Sequence, residues 1–243
     1  MSQPDWGKLA EGLSGEEARR ALKLKKKLNQ LEDRRQKQDT FIPFVKHMWP
    51  DFIEGEHHKI FAKQLEKVSQ GKSKRLIVNM PPRHTKSEFA SVYFPAWMMG
   101  RNPKLKIIQA THTTELATGF GRKCKALVHS PQFREVFPEV KISPESQAAG
   151  RWNTVDGGEY FAAGVGAAIT GRGADLLVID DPHSEQDALS STSFEACYEW
   201  YTSGPRQRLQ PGGSIVIVMT RWSTKDLTCL LYTSDAADES SSG

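Results

Sequence analysis

Two apolar segments that each end in charged or hydroxyl residues constrain the fold of this chain most strongly. The first is Leu76-Ile-Val78, which is followed by Met80-Pro-Pro-Arg-His-Thr-Lys-Ser-Glu88. The second is Leu176-Leu-Val-Ile179, which ends in Asp180 and Asp181. Near-continuous apolar runs are typical of strands that are buried on both faces of a parallel sheet. Such strands, alternating with helical segments, predict an α/β domain.

The spacing of apolar residues and the positions of Gly and Pro predict the remaining elements. Helices are predicted over residues 16–38, 57–68, 88–99 and 113–130, the third broken or kinked near Pro95. Strands are predicted over residues 75–80, 104–110, 159–163, 176–180 and 214–220. We therefore expect a mostly parallel central sheet flanked by helices, after an N-terminal helical segment, residues 1–40. The first helix is expected to be exposed, with an apolar seam of alanine and leucine side chains.

Composition and charge exclude several classes of protein. The 243 residues suffice for one large domain, and a formal net charge of +4 does not by itself indicate a nucleic-acid partner. The chain lacks a run of about eighteen apolar residues and an apolar signal-peptide core at its N-terminus, so no membrane association is expected. The three cysteines, Cys124, Cys197 and Cys229, have neither paired nor metal-ligand spacing. We expect a soluble, intracellular protein with reduced thiols.

Residues 229–243 differ in character from the rest of the chain. They contain no Lys or Arg, whereas the preceding 228 residues carry all 33. This segment resembles one reading frame of a transposase-based sequencing adapter. We therefore predict a non-native tail over residues 229–243, with the natural sequence ending near Thr228, and treat it like a fusion scar. The alternative is an ordinary acidic and flexible C-terminus.

The segment that follows the first strand matches a phosphate-binding loop in its chemistry but not in its glycines. The usual pattern is G-x-x-x-x-G-K-S/T, and here Met80 and Thr85 occupy the two glycine positions. Lys86 can reach the β- and γ-phosphates, and the Ser87 hydroxyl can ligate Mg²⁺. A helix that begins here directs its N–H groups and the positive end of its dipole at the phosphates. Thr85 is the weakest match, because a β-branched residue disfavours positive φ.

The loop yields a specific set of candidate nucleotide-binding residues. They are Pro82, Arg83, His84, Thr85, Lys86, Ser87 and Glu88. The alternative is a surface loop that contains Lys-Ser by chance. The flanking strand and helix favour the nucleotide interpretation, because this context is what confirms such a motif.

The two carboxylates at the end of the second apolar run are the expected partners of that loop. Asp180 is predicted to hold Mg²⁺, which bridges the β- and γ-phosphate oxygens of ATP. Asp181 occupies the place where many ATPases have a glutamate that orients or activates the attacking water, and its side chain is one methylene shorter. The alternative is a pair of solvated acids at a turn before Pro182. Because the strand at 104–110 lies between the two motifs, residues 41–228 are predicted to form a P-loop NTPase domain of the additional-strand class.

Hydrolysis of this kind needs an arginine that stabilises charge on the transferring phosphate. The catalytic candidates are Arg83, acting in cis from the loop, and Arg122, donated in trans from the following helix. Arg172, in Gly171-Arg-Gly173, is a third candidate. Each of the three is alternatively an ordinary surface or phosphate-facing arginine.

Two further groups of residues bear on ligand binding. Gln64 or the residues near 41–44 are candidates for contact with adenine. His57, His58 and His84 lack metal-ligand spacing, and adjacent histidines are usually found on a helix surface, so no metal site is predicted from them.

Four segments together resemble one protein family. They are FIPFVKHMWP at residues 41–50, NMPPRHTKSE at 79–88, ITGRGADLLVIDDPH at 169–183 and VMTRWSTKDL at 218–227. The combination of PPRH-x-KSE, GRGAD-x4-DDP and TRW is similar to the large terminase subunit of tailed bacteriophages, specifically to its N-terminal ATPase half.

The resemblance implies a motor that uses ATP and Mg²⁺ to drive double-stranded DNA through a portal into a procapsid. Lys86, Ser87 and Asp180 match the family's phosphate and metal positions, and Asp181 matches its catalytic carboxylate. Thr220, with Arg221, lies where the family couples the ATP state to DNA movement. The implied partners are DNA, the portal protein, the small terminase subunit and further copies in a homo-oligomeric ring. The implied location is the host cell cytoplasm, with docking on the procapsid.

The sequence also departs from this family in three respects. Thr85 replaces the usual glycine, and Asp181 replaces the commoner glutamate. The family's C-terminal nuclease half has no counterpart before Thr228, so DNA cleavage is expected of a longer parent protein and not of this chain. The alternatives are a P-loop helicase or translocase outside packaging, and a nucleotide-binding scaffold that does not hydrolyse ATP.

Overall fold

A computed structural model describes residues 15–240 apart from 147, 170, 188 and 189. Residues 1–14 of the predicted N-terminal segment, residues 241–243 of the predicted tail, and Thr170 of the third resembling segment therefore lie outside the described residues. The α-helices are α1 Gly15–Asp39, α2 Phe41–Met48, α3 Glu56–Ser69, α4 Phe94–Arg101, α5 Thr114–His129, α6 Pro131–Val136, α7 Ser191–Ser203 and α8 Leu227–Ser240. A π-helix, Glu88–Tyr93, precedes α4, and a 3-10 helix, Pro205–Arg208, follows α7.

Six strands form one sheet in the order β1-β6-β5-β2-β4-β3. They are β1 Arg75–Asn79, β2 Lys106–Thr111, β3 Arg151–Asn153, β4 Glu159–Gly164, β5 Ala174–Asp180 and β6 Leu209–Met219. All neighbouring pairs are parallel except β3 with β4. The predicted α/β fold with a mostly parallel sheet is confirmed. The strand between β1 and β5 in the sheet is β6, whereas β2, the strand between the two motifs in sequence, lies beyond β5.

Both faces of the sheet are buried, which explains the near-continuous apolar strands. Alternate residues of the central strands enter two separate clusters, because successive side chains of a strand point to opposite faces. Leu176, Val178, Val216 and Val218 pack with Phe89 and Phe94 on one face. Leu177, Ile179, Ile215 and Ile217 pack with Cys197 and Tyr201 of α7 on the other.

The helical segment after the candidate phosphate loop departs from the prediction. It runs without a break, but its first part is a π-helix, in which the Phe94 N–H donates to the carbonyl of Phe89, five residues earlier. Pro95 has no N–H, and in a regular α-helix its ring would clash with the carbonyl of Ser91. The wider turn accommodates the ring, so the irregularity lies directly before Pro95.

The N-terminal helix α1 is exposed, as predicted, and so is its apolar seam. Leu22, Leu24, Leu28 and Leu31 are between 40% and 66% exposed. The end of α1 is held by two bonds: the Trp97 Nε1–H donates to the carbonyl of Lys37, and Gln38 Nε2 donates to that of Val136. The helix is therefore anchored to the domain at its C-terminal end.

The predicted tail begins inside α8. This helix starts at Leu227, before the predicted boundary, and Leu231 packs against the core on the α7 side. This contact does not distinguish a native helix from an added one, so the origin of residues 229–243 stays a prediction. Among the described helices, none has both the length and the apolar character needed to span a bilayer.

Candidate functional site

The predicted site residues follow three strands that are adjacent in the sheet. The candidate phosphate loop, residues 80–87, follows β1; Asp181 follows β5; and Thr220 follows β6. Since β1, β6 and β5 are consecutive and parallel, their carboxyl ends lie at one edge of the sheet. The Met80 N–H continues the β1–β6 ladder with a bond of 3.1 Å to the carbonyl of Met219.

The candidate phosphate loop has left-handed backbone at two residues that are not glycine. Arg83 has φ 62° and Thr85 has φ 59°. Helical backbone begins at Lys86, and the Phe89 N–H donates to the Thr85 carbonyl over 3.0 Å. The predicted helix start behind the loop is therefore confirmed. The predicted tension at Thr85 is also present, because this β-branched residue adopts the conformation that glycine supplies elsewhere.

Hydrogen bonds within and below the loop hold that conformation. The Thr85 hydroxyl donates to the His84 carbonyl over 2.6 Å and lies 2.5 Å from Nε2 of His58. His84 Nδ1 donates to the carbonyl of Pro82 over 2.9 Å, and the His84 ring meets that of His57 edge-on. His58 is only 6% exposed, so the prediction of a surface histidine is wrong for this residue.

Lys86 and Asp181 form an ion pair between the two predicted motifs. The distance from Lys86 Nζ to Asp181 Oδ2 is 2.8 Å, and the lysine side chain is only 7% exposed. A buried ammonium needs a charged or strongly polar partner. A phosphate oxygen can replace Asp181 as that partner, which is the role predicted for this lysine.

Asp180 is buried among hydroxyl groups at the base of the site. Its Oδ1 accepts from the Ser87 hydroxyl over 3.0 Å, and its Oδ2 accepts from the Ser91 hydroxyl over 2.7 Å. Gln109 Nε2 in turn donates to the Ser91 oxygen over 3.3 Å. Burial, together with the nearby Asp181 carboxylate, raises the pKa of Asp180 to about 7, against the lowering effect of the two hydroxyls and of Lys86.

This environment fits a divalent cation. A carboxylate whose pKa is raised by burial is only partly compensated by nearby positive charge, here that of Lys86. Ser87 and Asp180 supply the oxygen atoms that Mg²⁺ prefers, and Mg²⁺ retains several waters or phosphate oxygens beside a few protein ligands. Among the described residues, groups of three or more His, Cys, Asp or Glu that could hold a metal by themselves are absent. The predicted pair of Ser87 and Asp180 is thus suited to Mg²⁺ shared with phosphates and not to a closed protein site.

Asp181 connects the two motifs to the end of β6. Its backbone has φ 40°, and its Oδ1 accepts from the Thr220 N–H over 2.8 Å. The Thr220 hydroxyl donates to the Met80 carbonyl over 3.3 Å. Thr220 therefore contacts both the candidate phosphate loop and the carboxylate predicted to act on water. Its predicted role in coupling stays a prediction.

Arg221 is held by the segment that follows it. Its Nε lies 2.8 Å from Oδ2 of the fully buried Asp226, and its guanidinium also donates to the carbonyl of Ser223 and to the sulfur of Cys229. Asp226 raises the pKa of Arg221 through this hydrogen bond. The structure therefore assigns Arg221 to the start of α8, with Thr220 as the member of the predicted coupling pair that contacts the loop.

The three arginine candidates for charge stabilisation lie in different places. Arg83 is exposed on the loop itself. Arg122 is exposed on α5, where it lines a surface groove with Lys125 and His129. Arg172 precedes β5 and pairs with Glu159 at the start of β4, with its guanidinium 4.1 Å from the centre of the Phe161 ring. A seven-residue strand separates Arg172 from Asp180 by on the order of 20 Å, so it cannot act in cis.

Two of the residues predicted near the adenine lie where they cannot contact a nucleotide directly. Phe41 and Phe44 are fully buried, and Phe41 packs edge-on against Phe89 and Phe94. Adenine contact near residues 41–44 is therefore wrong for these two side chains. Gln64 remains partly exposed on α3. Glu88 pairs with Lys123 of α5, which ties the π-helix to the neighbouring helix.

Three contributors to the site were not predicted, namely His58, Ser91 and Gln109. Ser91 follows Ser87 by four residues, so helical spacing alone places both hydroxyls on one face. That signal was available in the sequence. His58 and Gln109 carried no comparable signal, because their roles depend on which elements pack against the loop.

The fold resembles that of a bacteriophage large terminase. The structure is similar to the crystal structure of the HK97 bacteriophage large terminase, with a TM-score of 0.50 and 14% sequence identity. The match covers 78% of this chain and 38% of that chain. No protein-family profile and no curated protein sequence matches the chain. The comparison therefore shows a terminase-like fold.

Proposed function

We propose that this chain is a P-loop ATPase of the additional-strand class. The observation that carries the proposal is the meeting of two segments about ninety residues apart. Lys86 pairs with Asp181 over 2.8 Å, and the Ser87 hydroxyl donates to Asp180 over 3.0 Å. The position of β6 between β1 and β5 supports the class, since it is the extra strand between the loop strand and the carboxylate strand.

Each site residue has a definite task in this proposal. The first turn of the helix that begins at Lys86 binds phosphate oxygens through its N–H groups. Lys86 turns from Asp181 to the β- and γ-phosphates, and Ser87 and Asp180 hold Mg²⁺. When bound by these two residues, Mg²⁺ would supply positive charge for the transferring phosphate. Asp181, released from Lys86, orients the attacking water and accepts its proton.

The Thr220 contacts offer a route from the nucleotide to the rest of the chain. Thr220 bonds to both Met80 and Asp181, so a change at either carboxylate or loop alters its surroundings. Arg83 in cis and Arg122 in trans are the proposed sources of a stabilising guanidinium. Both side chains are exposed, as such a role requires.

The finer proposal is a DNA-packaging motor of the terminase large-subunit type. It is supported by the terminase-like fold and by the four segments that resemble this family. Its partners are then double-stranded DNA, a portal protein, a small terminase subunit and further copies of the chain in a ring on the procapsid in the host cytoplasm. Because the chain spans 38% of the HK97 protein, nuclease activity is proposed only for a longer parent protein.

The test is ATP turnover by the chain with Mg²⁺, with and without linear double-stranded DNA. We expect Lys86→Ala and Asp180→Ala to lower turnover by about 100-fold or more, as is usual when a preorganised charge is removed. Asp156→Ala, at an exposed carboxylate, is the control and should retain the parent rate.

Three outcomes separate the alternatives. Turnover that is unaffected in Asp180→Ala would overturn the assigned site. Binding of ATP without turnover would favour a nucleotide-binding scaffold. Turnover that DNA does not change would leave the ATPase in place and argue against the packaging role.

A further inference from the structure

The N-terminal turn of α3 contacts the candidate phosphate loop through one buried histidine. The Gly55 N–H donates to Nδ1 of His58 over 2.9 Å, so this nitrogen is an acceptor. Nε2 therefore carries the proton of the neutral ring and donates to the Thr85 hydroxyl oxygen. The Thr85 hydroxyl in turn donates a hydrogen bond to the His84 carbonyl. The three bonds form a chain in which every donor and acceptor is assigned.

The surroundings of His58 fix both its ring and its charge. The Phe52 ring meets it edge-on at 4.8 Å between centroids, and the Phe89 ring lies 5.2 Å away. Burial lowers the pKa of His58, and the neighbouring His57 lowers it further. The neutral form is the one that can accept from Gly55 while donating to Thr85.

Thr85 is the residue that most needs such support. At φ 59° it adopts a left-handed conformation that is unfavourable for a β-branched side chain. Such conformations persist where the surrounding structure over-determines them. Here the surroundings act through the hydroxyl, which glycine at the same position would lack.

We propose that His58 is a positioning residue that holds the phosphate loop in its binding conformation through the Thr85 hydroxyl, in place of the conformational freedom of glycine. The ligand whose binding depends on it is a nucleoside triphosphate, so this part rests on the proposed function. The predicted effect of His58 on the conformation of the loop does not rest on that function. His58 is predicted to be needed when residue 85 is threonine and dispensable when it is glycine.

The experiment is a double-mutant cycle with His58→Ala and Thr85→Gly in the full chain. Two quantities are measured: the Kd for a fluorescent ATP analogue with Mg²⁺, and amide hydrogen exchange over residues 81–88. With Thr85 present, His58→Ala should weaken binding about fivefold, as loss of one buried hydrogen bond implies, and speed exchange in the loop. In the Thr85→Gly background the same change should alter both by less than about twofold.

Matched variants separate positioning from packing. His58→Gln restores an N–H donor at a similar distance and should recover part of the loss. Thr85→Val removes only the hydroxyl and should resemble His58→Ala, whereas Thr85→Ser should resemble the parent. If His58→Ala does not fold, Thr85→Val and Thr85→Ser still test the proposal. Lys63→Ala, at an exposed position of the same helix, should change neither quantity by more than about twofold.

An equal loss in the threonine and glycine backgrounds would overturn the proposal and make His58 an ordinary core residue. Unchanged exchange in His58→Ala and Thr85→Val would overturn it as well. If the parent binds no nucleotide, the proposed function fails, while the exchange cycle still decides whether His58 positions the loop.

Discussion

Two ion pairs at opposite edges of the sheet have similar chemistry and different surroundings. At the carboxyl edge, Lys86 pairs with Asp181; at the amino edge, Arg172 pairs with Glu159. The side chains of Arg172 and Glu159 are 19% and 18% exposed, so burial does not distinguish the second pair from the first. What differs is the backbone and the neighbours.

The carboxyl edge concentrates features that are unfavourable for stability. Thr85 and Asp181 have positive φ, and Asp180 is a buried carboxylate with a raised pKa. At the amino edge Arg172 packs on Phe161, and Glu159 has a second arginine, Arg151, at 3.4 Å. The difference supports the proposal that the first pair serves chemistry and the second serves the fold, because strain and perturbed pKa values cluster at functional sites.

The largest expected effect comes from Lys86→Met. It should lower ATP turnover about a thousandfold, or about 4 kcal/mol, because the charge that meets the phosphates is lost. Its melting temperature should fall by only a few degrees, because the partner left behind, Asp181, is 28% exposed and can be solvated by water. Steady-state ATPase rates and calorimetry measure the two. A variant that loses stability but keeps its turnover would break the comparison.

Asp180→Asn should stabilise the chain in the absence of Mg²⁺. The folded-state pKa is raised from 3.8 to about 7, so the ionised carboxylate costs stability progressively as the pH rises between those values. The cost is fully present above about pH 7, where the variant should gain about 4 kcal/mol. Urea unfolding at pH 4 and pH 8 checks this, since the gain should be small at the lower pH. A destabilised variant at pH 8 would contradict it.

Glu159→Gln should have the opposite profile. It leaves the Arg172 guanidinium largely buried without its charged partner, which should cost about 1–3 kcal/mol in the free energy of unfolding. ATP turnover should stay within about twofold of the parent, because the pair lies at the other edge of the sheet. Denaturant unfolding and ATPase assays decide the point. A large loss of turnover in a stable variant would place Glu159 in the functional machinery.

The smallest effect is expected for Arg151→Met. Its side chain is 59% exposed, and exposed ion pairs contribute about 0–1 kcal/mol. The free energy of unfolding should change by less than about 0.5 kcal/mol. Comparing this variant with Glu159→Gln by the same unfolding assay separates the two arginines. Equal losses in both would mean that Arg151, and not Arg172, is the main partner of Glu159.

The sequence predicted the parts of the site that are encoded locally. An apolar strand followed by Lys86 and Ser87, and another ending in Asp180 and Asp181, sufficed to place four side chains at one edge of a parallel sheet. The strands themselves were found within a few residues, except that β3 was missed and β6 begins earlier than predicted. Both exceptions lie in polar or Gly-containing stretches, where alternation of apolar residues gives little signal.

Features that depend on long-range packing were beyond the sequence. The order of the strands along the chain does not reveal their order in the sheet, in which β6, and not β2, separates β1 from β5. The residues near 41–44 were predicted to contact adenine, whereas Phe41 packs against Phe89 and Phe94 in the core. Arg221 was assigned to coupling, whereas Asp226, five residues later, binds its guanidinium.

The π-helix has a consequence for how this chain can tolerate change in length. One extra residue in a helical turn rotates the side chains that follow it by about 100° about the helix axis. The extra residue therefore sets the direction in which side chains before Phe94, including Ser87 and Ser91, point relative to those after it, such as Trp97. Deleting one residue within 88–93 would convert the segment to regular α-helix and force a choice. Either the serines turn away from Asp180 or the aromatic core turns away from α1, so this short segment should resist insertions and deletions more strongly than substitutions.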